Sequence, residues 1–94
     1  MYVRIVRFTD IDRDRIDRIK GQIEGGGGPP EGVTMKGIRG IIDEDQGTAV
    51  IVQLYESKED MEKSAQVFEA MDESDTPGTR ASVDAGEEVI RADT

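Results

Sequence analysis

Six side chains in this sequence carry groups able to hold or polarise a ligand while sitting in stretches that otherwise read as apolar strands. They are Arg4 and Arg7 near the start, Gln53 and Tyr55 in the middle, and Arg80 and Asp84 near the end. A guanidinium can clamp an anion through forked N–H donors, a phenol can donate to a carbonyl, and an amide can do both. The combination suits orientation of a small molecule in an apolar pocket, with Tyr55 as donor and an arginine as anion clamp. A second, structural reading is the one that the general behaviour of polar groups favours. Polar strand residues, Ser82 among them, also occur at exposed edges or in hydrogen bonds between subunits, because buried polar groups need partners. Arg4 and Arg7 have opposite parity in one strand, so at most one of them faces any interior.

Much chemistry is excluded. The chain has no His and no Cys, which removes the neutral-pH general base, thiolate chemistry and zinc–thiolate centres. Ser64, Ser74 and Ser82 lack the histidine that activates a serine hydrolase. Asp10-Ile11-Asp12-Arg13-Asp14 opens like a calcium loop, but Arg15 and Gly21 stand at the sixth and twelfth positions, where Gly and an acid are required. Asp43, Glu44 and Asp45 are neighbours in a turn and do not converge easily on one ion, so no metal site is expected. Gly25–Gly28 lacks the Gly-Lys-Ser/Thr ending of a phosphate loop and no strand leads into it. It reads as a mobile connection that could lid a cavity. No cofactor is expected.

A net charge of −9 argues against nucleic acid and against anionic membrane surfaces, both of which call for a basic footprint. No apolar run reaches the ~18 residues of a membrane span. Strand-like residues begin directly after Met1, with no leader pattern, and a cytoplasmic location is expected.

The elements that would position these side chains follow from periodicity. Residues 2–8 alternate β-branched and aromatic residues with arginines and predict a strand. Asp12 is the expected N-cap of a helix whose face is Ile16, Ile19 and Ile23, with Ile11 and Ile16 placed as a staple and Asp14–Arg18 and Arg13–Asp17 able to pair. That helix should end near Glu24, before the Gly/Pro-rich connection 25–32. Residues 34–43 predict a second strand, bent or bulged at Gly37 and Gly40. Asp43–Gly47 has hairpin-turn chemistry with Gly47 in the left-handed position. Thr48–Tyr55 is the strongest strand, expected to be central, with Val50, Val52 and Leu54 on one face and Ala49, Ile51, Gln53 and Tyr55 on the other. Ser57 and Asp60 begin a second helix whose face is Met61, Ala65, Phe68 and Met71, flanked by Val67. Asp72–Gly78 is a polar connection, residues 80–90 return as a last strand through Ala81, Val83, Ala85 and Val89, and the tail 91–94 frays.

The order βαββαβ predicts one α+β domain over residues 1–94 with a ferredoxin-like fold, a four-stranded antiparallel sheet and both helices on one face. The uncovered face would still carry apolar residues, which favours a homodimer with the two sheets face to face. A monomer reading single-stranded RNA on that face needs aromatics in a basic surface, and the chain has two Tyr, two Phe and no Trp.

At this point the chain resembles the dimeric α/β-barrel superfamily that includes the antibiotic biosynthesis monooxygenase-like domains. The resemblance rests on the opening strand Tyr2–Arg7 and on Gly47–Met61, where a strand ending in an aromatic runs into an acidic helix start, and it covers nearly the whole chain. It implies a cavity between sheet and helices, or inside the barrel, for a small apolar ligand. Among members with assigned roles it implies cofactor-independent oxidation of aromatic polyketides, haem degradation or lactone isomerisation. Without His or Trp the chain departs from the haem-handling members. The expected function is a homodimeric α/β-barrel protein that binds a small ligand or has no catalytic role; the alternative is a cofactor-independent monooxygenase-like enzyme acting on a small aromatic or polyketide-like substrate.

Overall fold

The computed structural model describes residues 1–93. Alternation of β-branched residues makes strand β1 from Tyr2–Thr9, and the same pattern makes β3 from Thr48–Tyr55. Between them lie helix α1 (Arg13–Glu24) and strand β2 (Gly37–Asp43), and after them helix α2 (Lys58–Glu69) and strand β4 (Thr79–Glu87). The sheet order is β2-β3-β1-β4 with every pairing antiparallel. This is the expected βαββαβ ferredoxin-like arrangement, with β3 and β1 at its centre.

Both helices start at their expected caps. The Asp12 carboxylate accepts from the Arg15 N–H at 3.2 Å, and the Ser57 hydroxyl accepts from the Asp60 N–H at 3.1 Å. Each satisfies a first-turn donor that the helix itself leaves free. Gly47 takes a φ of 69° in the β2–β3 turn, as the hairpin requires. The bulge does not fall at Gly37 or Gly40, where β2 keeps an unbroken register with β3; it falls between Arg7 and Phe8 in the β1–β4 pair. There β4 must turn toward the end of β1, and one extra residue supplies the twist.

Two boundaries shift. The second strand begins at Gly37 rather than residue 34, because Val33 is buried and Thr34 N–H donates to the Ser64 hydroxyl on α2, so this stretch packs on the helix instead of extending the sheet. The last strand ends at Glu87, leaving Val89 and Ile90 outside it and exposed. Residues 91–93 of the expected tail lie outside regular structure, and Thr94 lies outside the described residues. The 72–78 connection contains a short 3-10 turn, Glu73–Asp75. Arg13 pairs with Asp17 as its spacing predicts, but Arg18 turns away from Asp14. Arg18 Nη2 donates to the Ser74 carbonyl at 2.6 Å and Arg15 Nη1 to that of Glu73 at 3.3 Å, so α1 grips the 3-10 turn.

Register sorts the sheet into two faces. Arg4, Val6 and Phe8 of β1 pair with Gln53, Ile51 and Ala49 of β3 on the helix side. Val3, Ile5 and Arg7 pair with Leu54, Val52 and Val50 on the open side. The core between sheet and helices is small: Val6, Phe8, Val33, Ala49, Tyr55 and Met61 are its buried hydrophobic residues. α2 packs on β1 and β3, whereas α1 contributes no buried residue.

Gly78 fixes how β4 enters the sheet. A Cβ there would lie 3.0 Å from the Asp10 carbonyl oxygen and from Ile11 Cα, and closer still to the Thr9 carbonyl. All three are backbone atoms and cannot swing aside. Gly78→Ala should therefore cost about 1–3 kcal/mol, the usual range for overpacking, read as a lowered urea midpoint with an unchanged m-value. A neutral result would mean the β1–α1 junction is looser than this geometry implies.

Candidate functional site

The site begins with parity. Because Arg4 and Gln53 are register partners in β1 and β3 and face the helices, their polar ends meet inside the fold. Arg4 Nη1 donates to Gln53 Oε1 at 3.1 Å, and the Tyr55 hydroxyl donates to the same oxygen at 3.0 Å. Arg4 and Gln53 are each 3% exposed, and Tyr55 and Ser64 are fully buried. The Arg4 guanidinium also lies over the Phe68 ring of α2, 5.8 Å from its centroid, a distance at which the ring face attracts a cation.

Burial lowers the Arg4 guanidinium below its ordinary value, the neighbouring Tyr55 and Glu69 oppose that, and Arg80 reinforces it. An arginine remains charged under such pressure, so the fold holds a cation in its interior. Burial raises the Tyr55 phenol above its ordinary range, with the charge of Arg4 and the Ser64 hydroxyl opposing.

Above this cluster is a half-open cavity of ≈ 990 Å³. Its floor is the helix side of the sheet, including Arg4, Gln53 and Ile51; Phe68 of α2 and Ile19 and Ile23 of α1 form apolar walls. The Gly25–Pro30 connection and Arg80 also border it. The apolar stripe expected on α1 is therefore real, but it is incompletely covered: Ile16 and Ile19 are half-buried and Ile23 is 47% exposed.

Arg4, Gln53 and Tyr55 converge, and Arg80 shares the cavity, although it is exposed and belongs to its wall. Tyr55 does not itself line the cavity; it stands behind Gln53 and orients it. Arg7 and Asp84 belong to the other face of the sheet, where Arg7 pairs in register with Val50 and Ser82, and Asp84 with Ile5. They do not join the cluster. The sequence marks Ser64 only as a serine without an activating histidine. Its place four residues before Phe68 puts it on the same helix face, a spacing that could have marked it as inward-facing. No group of three or more acidic residues able to hold a metal ion occurs among the described residues, and Asp43 instead accepts from Gln46 in its turn.

Comparison with protein-family models, with curated proteins and with solved structures finds no match. What the fold and register define is a ferredoxin-like α+β domain with a buried cation beneath a mainly apolar, half-open cavity.

The Tyr55 shift gives a pH dependence. A folded-state value raised above the unfolded one means the contribution to stability is complete below the ordinary tyrosine range and is lost as pH rises through the raised value. Urea unfolding across an alkaline series should show stability falling on that limb. Tyr55→Phe should flatten it and cost about 1 kcal/mol at neutral pH through the lost bond to Gln53. An unchanged alkaline limb in the variant would show that another group governs it.

Proposed function

We propose that this chain is a homodimeric α/β-barrel protein that binds a small, mainly apolar ligand between its sheet and α1. The observation that carries the reading is the unseated apolar face of α1 above the ≈ 990 Å³ cavity. Natural small-molecule sites lie in roughly the 300–1,000 Å³ range and combine apolar walls with a few placed polar groups. A ligand filling this space would cover the isoleucines that the fold leaves uncovered.

The homodimer is supported by the opposite face of the sheet. Val3, Ile5, Val50, Val52, Leu54 and Ile41 share it by register, and Ile41 is 58% exposed. The row Arg39–Val52–Ile5–Asp84 crosses the sheet with a cation at one edge and an anion at the other. Two copies related by a two-fold axis along the strands would lay Arg39 of one over Asp84 of the other, a self-complementary pairing of the kind a two-fold interface requires. β4, exposed along its length, would gain cover from the same partner.

Monooxygenase-like chemistry on an aromatic or polyketide-like substrate is the second reading. It is favoured by the room for a polycyclic body beside a cation able to stabilise a developing oxyanion.

Native mass spectrometry and sedimentation test the main reading together. The expected result is a dimer that retains a small-molecule mass or takes one up, and Val52→Glu is expected to sediment as a folded monomer. A wild-type monomer would overturn the dimer. A dimer that takes up no small apolar compound would overturn ligand binding.

A further inference from the structure

The floor of the cavity offers hydrogen-bond donors and no free acceptor. Arginine has five N–H donors and nothing that accepts; a glutamine amide has one oxygen and two N–H donors. Here the oxygen is already committed, because Gln53 Oε1 receives both Arg4 Nη1 and the Tyr55 hydroxyl. The amide orientation follows from chemistry: Arg4 can only donate, so the atom facing it must be the carbonyl oxygen, and the Gln53 nitrogen is turned elsewhere.

The remaining N–H groups of Arg4 and Gln53 have no hydrogen-bond partner among the described residues. Yet no buried polar side-chain atom among those residues is sealed off without one. Both residues line the cavity, so these free donors open onto it. Nor does a carboxylate neutralise the guanidinium among the described residues, whose ion pairs all lie elsewhere. Glu69, Glu73 and Asp75 also line the cavity, and Glu69 acts on Arg4 through space, but none of the three forms an ion pair with it; Arg80, a like charge, borders the cavity as well. A buried cation without a counter-charge is costly, and an anion brought to it regains a charge-assisted bond in a poorly solvated place.

We propose that the ligand of this cavity is an amphipathic organic anion whose acceptor-only oxygen head, a carboxylate or a phenolate-type oxyanion, sits on Arg4 and Gln53 while its apolar body lies against Ile19, Ile23 and Phe68. This rests on the ligand-binding reading above and narrows it to a chemical class. A hydrated inorganic anion would leave the isoleucine wall uncovered. A neutral alcohol would leave the charge unmatched, and an amine would meet only donors at Arg4 and Gln53, its counter-charges being the carboxylates of Glu69, Glu73 and Asp75 elsewhere on the lining.

Calorimetric titration of the full chain with decanoate, 1-decanol and decylamine separates these cases, since the three share an apolar body and differ in the head. Decanoate is expected to bind about tenfold or more tighter than decanol, as a charge-assisted bond implies, and decylamine more weakly than decanoate. Arg4→Met should abolish the preference while still binding decanol, which shows that the variant is folded; Arg4→Lys should restore part of it. A 4-nitrophenol arm distinguishes the source of the oxyanion. If its phenolate absorbance grows at fixed pH on addition of protein, a phenolate-type head is accepted; decanoate binding without that change assigns a carboxylate. Equal affinity for decanoate and decanol would overturn the anionic head and leave the cavity reading standing. Binding of none of the probes would overturn both, and a preference that survives Arg4→Met would overturn the role of Arg4.

Discussion

The Oε1 atom of Gln53 is the meeting point on which the interior of this domain depends. Two donors from neighbouring positions, the Arg4 guanidinium and the Tyr55 hydroxyl, converge on that one oxygen in the middle of the sheet. Without it the fully buried Tyr55 O–H and the nearly buried Arg4 guanidinium would each lose their side-chain acceptor, at a desolvation cost that a domain of 94 residues is poorly placed to absorb. The bond exists because β1 and β3 pair in a register that sets residue 4 opposite residue 53. A slip of one residue would turn Arg4 toward the open face and bring Arg7 inward.

That polar floor divides the space under the helices into two unlike parts. At one end α2 closes over Tyr55 with Met61 and Ser64, and the Ser64 hydroxyl accepts from Thr34 N–H, drawing the segment before β2 into the same layer. At the other end α1 stands off the sheet with its isoleucines facing the cavity. What holds α1 in place is largely polar: Arg15 and Arg18 reach carbonyls of the Glu73–Asp75 turn, and Asp12 N–H donates to the Pro77 carbonyl at 2.9 Å. Such tethers fix position without filling volume. The same region contains Gly78, where β1 and the last connection pass too closely for a side chain. The cavity is therefore framed by backbone contacts and side chain-to-carbonyl bonds, with little hydrophobic packing on the α1 side.

Charge is distributed to match. The acidic excess is spread over helix surfaces and turns, where pairs such as Lys63–Glu59 and Lys20–Glu24 are exposed and add little stability. The interior holds a guanidinium, and the open sheet face carries both signs around an apolar centre. A surface acidic overall and an interior cationic at one point are compatible because water screens the first and reaches the second poorly.

Local pattern alone determined the elements of this protein. Alternation marked β1 and β3, isoleucines at three- and four-residue spacing marked α1, and Asp12, Ser57 and Gly47 marked two helix starts and a turn, since each signal acts within a few residues of chain. Parity likewise separated Arg4 from Arg7. Tertiary structure decided the rest. Which arginine turned inward depended on the strand pairing; that Tyr55 would serve Gln53 depended on their meeting Arg4 across the sheet; that Ser64 would be buried depended on how α2 lay upon it. The same α1 isoleucines would read identically whether packed on the sheet or raised above it. Periodicity records which face of a helix is apolar but not how far that face stands from its neighbour, and that separation is where the cavity lies.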